Sequence, residues 1–152
     1  MVLDRIEREI LIEAPIEVVW AIVTEPEHLA RWFPDAATID LRPGGEGRLT
    51  WNDHGTYRLR VERVEAPHRF SFRWVRRVGV DPVEGASTLV EMSLSADDRG
   101  TRLRLVESGF GDLDWPADEA AQYAEENDHG WDVELGELQA YVSVLGGRSL
   151  PT

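Results

Sequence analysis

The sequence predicts an α+β fold in which a curved antiparallel β-sheet of about six to seven strands wraps around one long C-terminal α-helix. Two observations predict it. Between residues 37 and 108 apolar and polar side chains alternate with a period of two, which is typical of strands with one buried face. The C-terminal segment instead repeats apolar residues every three or four positions, at Trp131, Leu135, Leu138, Val142 and Leu145. A helix with this stripe must lie against an apolar surface, and the sheet is the one candidate large enough.

The chain begins with a predicted strand over residues 4–13, in which Ile6, Ile10 and Ile12 share one face. Pro15 ends the strand and suits the first turn of a helix, where a missing N–H costs nothing. A second short helix is expected around Pro26 and runs toward Trp32. Two short helices therefore follow the first strand.

The alternating region then divides into strands at Gly-, Pro- and Asp-containing turns. We expect these strands near residues 37–41, 46–52, 55–65, 68–76, 86–96 and 101–108. Each has an apolar face, which carries Tyr57, Phe72, Met92 and Leu105 among others, and a charged face rich in arginine and glutamate. The pattern is that of an antiparallel meander covered on one side.

Residues 109–130 are less regular and include an acidic helical stretch, Ala117 to Glu126. We expect the long C-terminal helix to begin separately, by about residue 129, and to end at the Gly146-Gly147 pair. No repeat or low-complexity linker divides the chain, so residues 1–152 are expected to form a single domain.

The composition excludes several classes of function. The net charge of −13 opposes binding to nucleic acids or anionic membranes, because phosphates would be repelled. Cysteine is absent, which excludes disulfides and thiolate chemistry, and all 16 basic residues are arginine, so no lysine can form a Schiff base. The charged N-terminus and the lack of a long apolar run favour a cytoplasmic protein with no membrane insertion.

Motifs for catalysis and metal binding are weak. The four histidines have no metal-ligand spacing, and neither a nucleophile elbow nor a phosphate loop is present, so we assign no catalytic residue, no metal and no cofactor. One weak acid–base group remains. Glu107 ends the last strand, and Asn127, Asp128 and His129 precede the long helix; if they converge on a cavity, they would favour proton transfer.

Six tryptophans in 152 residues suggest an aromatic-lined binding site, although tryptophans also fill ordinary cores. Strand alternation, the helical stripe and the tryptophans themselves select the candidate ligand-binding residues of the cavity wall. They are Trp51, Tyr57, Phe72, Trp74, Met92, Leu105, Trp131, Leu135 and Leu138. If these side chains fill the interior completely, the protein has a core and no site.

Several short sequence motifs, which together span about residues 5–145, resemble those of a known family. They are Ala-Pro-Ile-Glu-Val-Val-Trp at 14–20, Thr-Glu-Pro-Glu-His-Leu-Ala-Arg-Trp-Phe at 24–33, Leu-Arg-Pro-Gly-Gly at 41–45, Gly-Thr-Arg-Leu-Arg-Leu at 100–105, Glu-Ser-Gly-Phe at 107–110 and Gly-Trp at 130–131. In this order they resemble the START-like helix-grip superfamily. Within it they are similar to the group of the C-terminal domain of the activator of heat-shock protein 90 ATPase.

The resemblance implies a helix-grip fold that holds an apolar small molecule, lipid-like or aromatic, between the long helix and the sheet. It also implies a cavity mouth at Trp32 and Phe33, which end the second short helix, and at Phe110, which begins the loop opposite. We therefore expect a binding module without enzymatic activity, whose partner is a hydrophobic small molecule. Two alternatives follow from the same resemblance: a protein-interaction domain like the heat-shock activator, and an enzyme of the polyketide cyclase or dehydratase type. The sequence leaves open whether the protein is a monomer or a homodimer.

Overall fold

The computed structural model describes residues 4–148, and the side chains of residues 4–145. The element order is strand, two short helices, six strands and one long helix, as the alternation and the helical stripe predict. The elements are β1 (Arg5–Ile12), α1 (Ile16–Thr24), α2 (Pro26–Trp32), β2 (Ala36–Ile39), β3 (Glu46–Trp51), β4 (Gly55–Glu65), β5 (Arg69–Trp74), β6 (Thr88–Asp97), β7 (Gly100–Ser108), a 3-10 turn (Phe110–Asp112) and α3 (Ala117–Arg148).

The seven strands form one curved antiparallel sheet in the order β1-β7-β6-β5-β4-β3-β2. From β2 to β7 each strand pairs with the next strand along the chain, whereas β1 pairs with the last one, β7. A bulge in β4 shifts the register between Val61 and Arg63. Such an extra residue bends a strand and increases its twist, which helps the sheet to curve around α3.

The inner face of the sheet carries the apolar residues that alternation predicts. Leu59 and Val61 of β4, Val90 of β6, and Leu103 and Leu105 of β7 are each at most 2% exposed. These side chains meet the buried stripe of α3, formed by Trp131, Leu135, Leu138 and Val142. The predicted fold class and the strand positions are therefore confirmed.

The prediction of a separate acidic helix before residue 129 is wrong, because α3 is continuous from Ala117 to Arg148. Its buried stripe continues toward the N-terminus through Asn127, Ala124, Tyr123 and Ala120. The sequence pattern breaks at the polar residue Asn127, which is buried only because it has a hydrogen-bond partner on the sheet. At the other end the helix continues past the predicted Gly146-Gly147 stop to Arg148, since glycine also adopts helical dihedral angles.

Two contacts fix the positions of the helices. The indole of Trp32 in α2 donates a hydrogen bond of 3.0 Å to the carbonyl of Ile22 in α1, which holds the two short helices together. Arg8 of β1 points to the inner side and pairs with Asp128 at 2.7 Å and Asp132 at 2.8 Å, both on α3. Among residues 4–148 no helix is long and apolar enough to cross a membrane.

Candidate functional site

A cavity of about 510 Å³ lies at one end of the sheet, between α3 and the ends of β3 and β5. Its exposed rim includes His54, in the turn between β3 and β4, and Glu126 of α3. The lining residues are Phe33, Trp51, His54, Tyr57, Trp74, Arg76, Glu126, Asn127, Gly130, Trp131 and Glu134. The space between α3 and this end of the sheet is therefore not completely filled.

Five of the eleven lining residues are phenylalanine, tryptophan or tyrosine, and Phe33 lies at the centre of this cluster. Its ring centroid is 5.2 Å from that of Trp51, 5.7 Å from that of Trp74 and 5.4 Å from that of Trp131. Tyr57 extends the cluster, with its ring 5.7 Å from Trp51. Phe33 directly follows α2, so the pair of short helices brings a ring to the open end of the sheet. The result is a concave surface of aromatic faces and edges.

The carboxylate of Glu107 lies behind this wall and is fully buried. The indoles of Trp74 and Trp131 donate to it at 2.9 and 2.8 Å, and the hydroxyl of Thr88 donates at 2.5 Å. The amide nitrogen of Asn127 donates to both carboxylate oxygens, at 3.1 and 3.0 Å. Glu107 thus joins β5, β6, β7 and α3 at one point.

Two opposing effects act on the pKa of Glu107. Burial raises it, and the hydrogen bonds from Thr88, Trp131, Trp74 and Asn127 work against the rise by stabilising the ionised form. The network also affects the cavity, because it uses the single N–H donor of two wall indoles, those of Trp74 and Trp131. Trp74 and Trp131 therefore present only carbon and π surface to the cavity.

Arg76 follows β5 and supports the same network from the cavity side. Its Nε donates to the side-chain oxygen of Asn127 at 2.6 Å, and its guanidinium pairs with Glu126 at 3.4 Å. The guanidinium also lies 4.9 Å from the centre of the Tyr123 ring. Burial, with the nearby charge of Glu107 as a further cause, raises the pKa of Tyr123 to about 12, so its hydroxyl stays neutral.

Glu134 of α3 also lines the cavity, and its carboxylate has no hydrogen-bond donor comparable to those of Glu107 among the described residues. Its Oε2 is buried and has no hydrogen-bond partner among the described residues. Burial, together with the negative charges of Glu137 and Asp35, raises the pKa of Glu134 to about 7. An acceptor that is desolvated and unpartnered is costly unless a ligand supplies a donor.

The structure brings part of the predicted site together. Phe33, Trp51, Tyr57, Trp74 and Trp131 line the cavity. The other candidates are buried in the core and do not line it: Trp32, Phe72, Met92, Leu105, Phe110, Leu135 and Leu138. Phe110, expected at the mouth, is completely buried with its ring 6.0 Å from that of Tyr123, because the 3-10 turn folds it inward.

The weak acid–base group assembles only in part. Glu107 and Asn127 are hydrogen-bonded, whereas Asp128 pairs with Arg8 on the other side of the helix and His129 is exposed. Within the described residues, no cluster of three or more histidine, aspartate or glutamate side chains is arranged to hold a metal.

Five of the lining residues were not predicted from the sequence: His54, Arg76, Glu126, Gly130 and Glu134. A signal existed for Glu134, which stands three positions after Trp131 and therefore beside it on the helix. Glu134 is not one of the apolar stripe residues, so the hydrophobic pattern alone places it on the solvent side. A signal also existed for the buried state of Glu107. It continues the inner-face alternation of Leu103 and Leu105, so a carboxylate was placed toward the core.

Comparison with known proteins identifies the family. The model of the family described as Activator of Hsp90 ATPase homolog 1-like protein matches residues 13–143. No curated protein matches the chain.

Solved structures with the same fold include three that are at least a quarter identical in sequence. DynU16, from the dynemicin biosynthetic locus, is 26% identical, with a TM-score of 0.75 over 93% of this chain. This chain spans about half of DynU16, namely 48% of its length. CalU16 from Micromonospora echinospora is 28% identical with a TM-score of 0.66, over 91% of this chain and 74% of that protein.

The third structure, protein BH1534 from Bacillus halodurans, is 30% identical with a TM-score of 0.73, over 92% of this chain and 97% of that protein. The resemblance found in the sequence phrases is thereby confirmed. Since the family model covers most of its length, the chain belongs to the family of Activator of Hsp90 ATPase homolog 1-like proteins.

Proposed function

We propose that this protein binds an apolar, aromatic small molecule in the cavity at the open end of the sheet, and that it acts as a binding module. The observation that carries the proposal is the aromatic wall around Phe33, which includes Trp51, Tyr57, Trp74 and Trp131. The volume of about 510 Å³ lies within the range of small-molecule sites, about 300–1,000 Å³.

The chemistry of the wall supports an aromatic guest. The indole donors of Trp74 and Trp131 are already bonded to Glu107, so a guest meets ring faces and edges at this part of the cavity. Ring faces and edges favour offset-stacked or edge-to-face contacts with another aromatic system. The likeness to DynU16, from the dynemicin biosynthetic locus, is consistent with a small-molecule ligand.

The geometry of Glu107 favours a supporting role over proton transfer to a ligand. Glu107 does not line the cavity, and both of its oxygens accept hydrogen bonds from donors of the protein. A general base must be within hydrogen-bond reach of the proton that it removes. Glu107 instead holds the wall indoles of Trp74 and Trp131 in fixed orientations, which supports recognition of a ligand.

A titration with a neutral bicyclic aromatic, 2-naphthalenemethanol, tests the proposal. We would follow the six indole N–H signals of the isotope-labelled protein by two-dimensional NMR. The signals of Trp51, Trp74 and Trp131 should shift with saturation, while those of Trp20 and Trp115 should stay in place.

A matched pair of variants completes the experiment. Trp51→Ala removes a half-buried wall residue and should weaken binding about tenfold or more. Trp115→Ala removes another half-buried tryptophan, which lies outside the cavity, edge-on to Tyr123 and beneath the guanidinium of Arg77. This variant should leave the affinity unchanged. Absence of any shift, or equal losses in both variants, would contradict the proposal.

A further inference from the structure

We propose that the ligand carries a protonated nitrogen next to its aromatic body, and that Glu134 binds this nitrogen at the rim of the cavity. The inference rests on the proposed function and specifies its ligand class. Three observations carry it: the unpartnered oxygen of Glu134, the balance of charges around the cavity, and the π surface opposite.

The first observation is the state of the Glu134 side chain. Its Oε2 is buried at a cavity that is open to solvent, and no donor of the described residues reaches it. Trp131, one turn earlier on the same helix, is fully engaged with Glu107 and offers no donor to Glu134. A ligand N–H would therefore satisfy an acceptor that the described side chains leave without a donor.

The second observation is the balance of charges. The cavity is lined by one arginine, Arg76, and its guanidinium is already used by Asn127 and Glu126. No arginine or histidine side chain among residues 4–145 pairs with Glu134, and the carboxylates of Glu137 and Asp35 add negative potential around it. A cation placed there would relieve this repulsion, whereas an anion would increase it.

The third observation is the aromatic surface that faces the same space. Trp51, Tyr57 and Trp131 line the cavity together with Glu134. Aromatic faces attract cations because of their quadrupole, and they also stack with aromatic ligands. The net charge of −13 for the whole chain further favours the approach of a cationic molecule.

Three probes that share one ring system test the inference by calorimetry. They are 2-(aminomethyl)naphthalene, which is a cation at neutral pH, the neutral 2-naphthalenemethanol and the anionic 2-naphthoic acid. The amine should bind most tightly, the alcohol less tightly and the acid least tightly. The dissociation constants of amine and alcohol should differ by about tenfold.

Two variants assign the preference to Glu134. In Glu134→Gln the ratio of amine to alcohol affinity should fall toward one, because the charge is lost and the shape is kept. In Glu125→Gln, which removes an exposed carboxylate of the same helix, the ratio should stay as in the parent protein.

The outcomes separate this inference from the proposed function. If alcohol and amine bind equally well in the parent protein, the proposed function holds and the role of Glu134 is wrong. The same conclusion follows if Glu134→Gln keeps the amine preference. If none of the three probes binds, both proposals fall together.

Discussion

The indole Nε1 of Trp131 donates a hydrogen bond of 2.8 Å to Oε1 of Glu107, and this bond joins the long helix α3 to the last strand of the sheet. The same indole ring forms part of the cavity wall, 5.4 Å from the ring of Phe33. One contact therefore serves both the attachment of the helix and the shape of the site. Substitutions that change stability and substitutions that change ligand binding can therefore separate these two roles.

Trp131→Phe should lower the free energy of unfolding by about 2 kcal/mol, because the variant keeps an aromatic ring but loses a buried donor to an acidic group. Chemical denaturation measures the loss. Trp20→Phe is the control, because it makes the same change in side-chain size at a position without a bond to Glu107. Trp20 is half-buried, and its ring lies edge-on to that of Phe70. Equal losses in the two variants would mean that the hydrogen bond to Glu107 contributes nothing.

Glu107→Gln should also destabilise the fold, by about 2–3 kcal/mol. The amide nitrogen of glutamine is a donor, and it would face donors from Trp74, Thr88, Trp131 or Asn127 where the carboxylate oxygen accepts. Glu91→Gln is a suitable comparison, because Glu91 is exposed on the neighbouring strand β6 and should change stability by less than about 0.5 kcal/mol. If Glu107→Gln is as stable as the parent protein, the hydrogen bonds to the buried carboxylate contribute nothing to stability.

Glu134→Gln should increase stability at pH 8 and lose this advantage at pH 4. The pKa of Glu134 is raised to about 7, so the folded state favours the protonated carboxyl, and its contribution to stability is present at low pH and lost as the pH rises through about 7. At pH 8 the variant avoids a desolvated charge near Glu137 and Asp35. We expect a gain of about 1 kcal/mol, well below the full shift because solvent screens a half-buried group.

The measurement is the difference in unfolding free energy between variant and parent at both pH values, which cancels the titration of groups common to the two proteins. Glu125→Gln, on the exposed side of α3, should show no such difference. A gain that is the same at pH 4 and at pH 8 would show that the titration of Glu134 is not responsible.

Gly130→Ala should stabilise α3 and block the cavity. An added Cβ meets no atom within 4 Å, and alanine in a helix interior is favoured over glycine by about 1 kcal/mol. Gly136→Ala is the matched variant, because position 136 lies on the same helix with equally open space but outside the cavity lining. Both changes should raise the melting temperature.

The two glycine variants should differ in ligand binding. Since Gly130 lines the cavity, its new methyl group takes up space that the ligand needs, and the affinity for 2-naphthalenemethanol should fall in Gly130→Ala alone. If both variants bind as the parent protein does, the ligand lies elsewhere.

Local patterns in the sequence were sufficient for most of the fold. The period of two between residues 37 and 108 located every strand of the meander. In an antiparallel sheet with one covered face, successive side chains are alternately buried and exposed, so apolar and polar residues alternate in the sequence. The spacing of Trp131, Leu135, Leu138 and Val142 located the buried side of α3 for the same reason. The six tryptophans predicted an aromatic-lined site, and Trp51, Trp74 and Trp131 are among the residues that line the cavity; ligand binding there is a proposal.

Only the three-dimensional arrangement decided which polar residues belong inside. Asn127 looked like a helix boundary in the sequence, yet it is buried within a continuous helix because Glu107, twenty residues earlier, accepts its hydrogen bonds. Glu134 looked like part of the solvent-facing side of α3, and the approach of Phe33 and Trp51 from distant elements makes it a cavity residue. The burial of a polar side chain depends on partners supplied by other elements, and no periodicity along the chain records them.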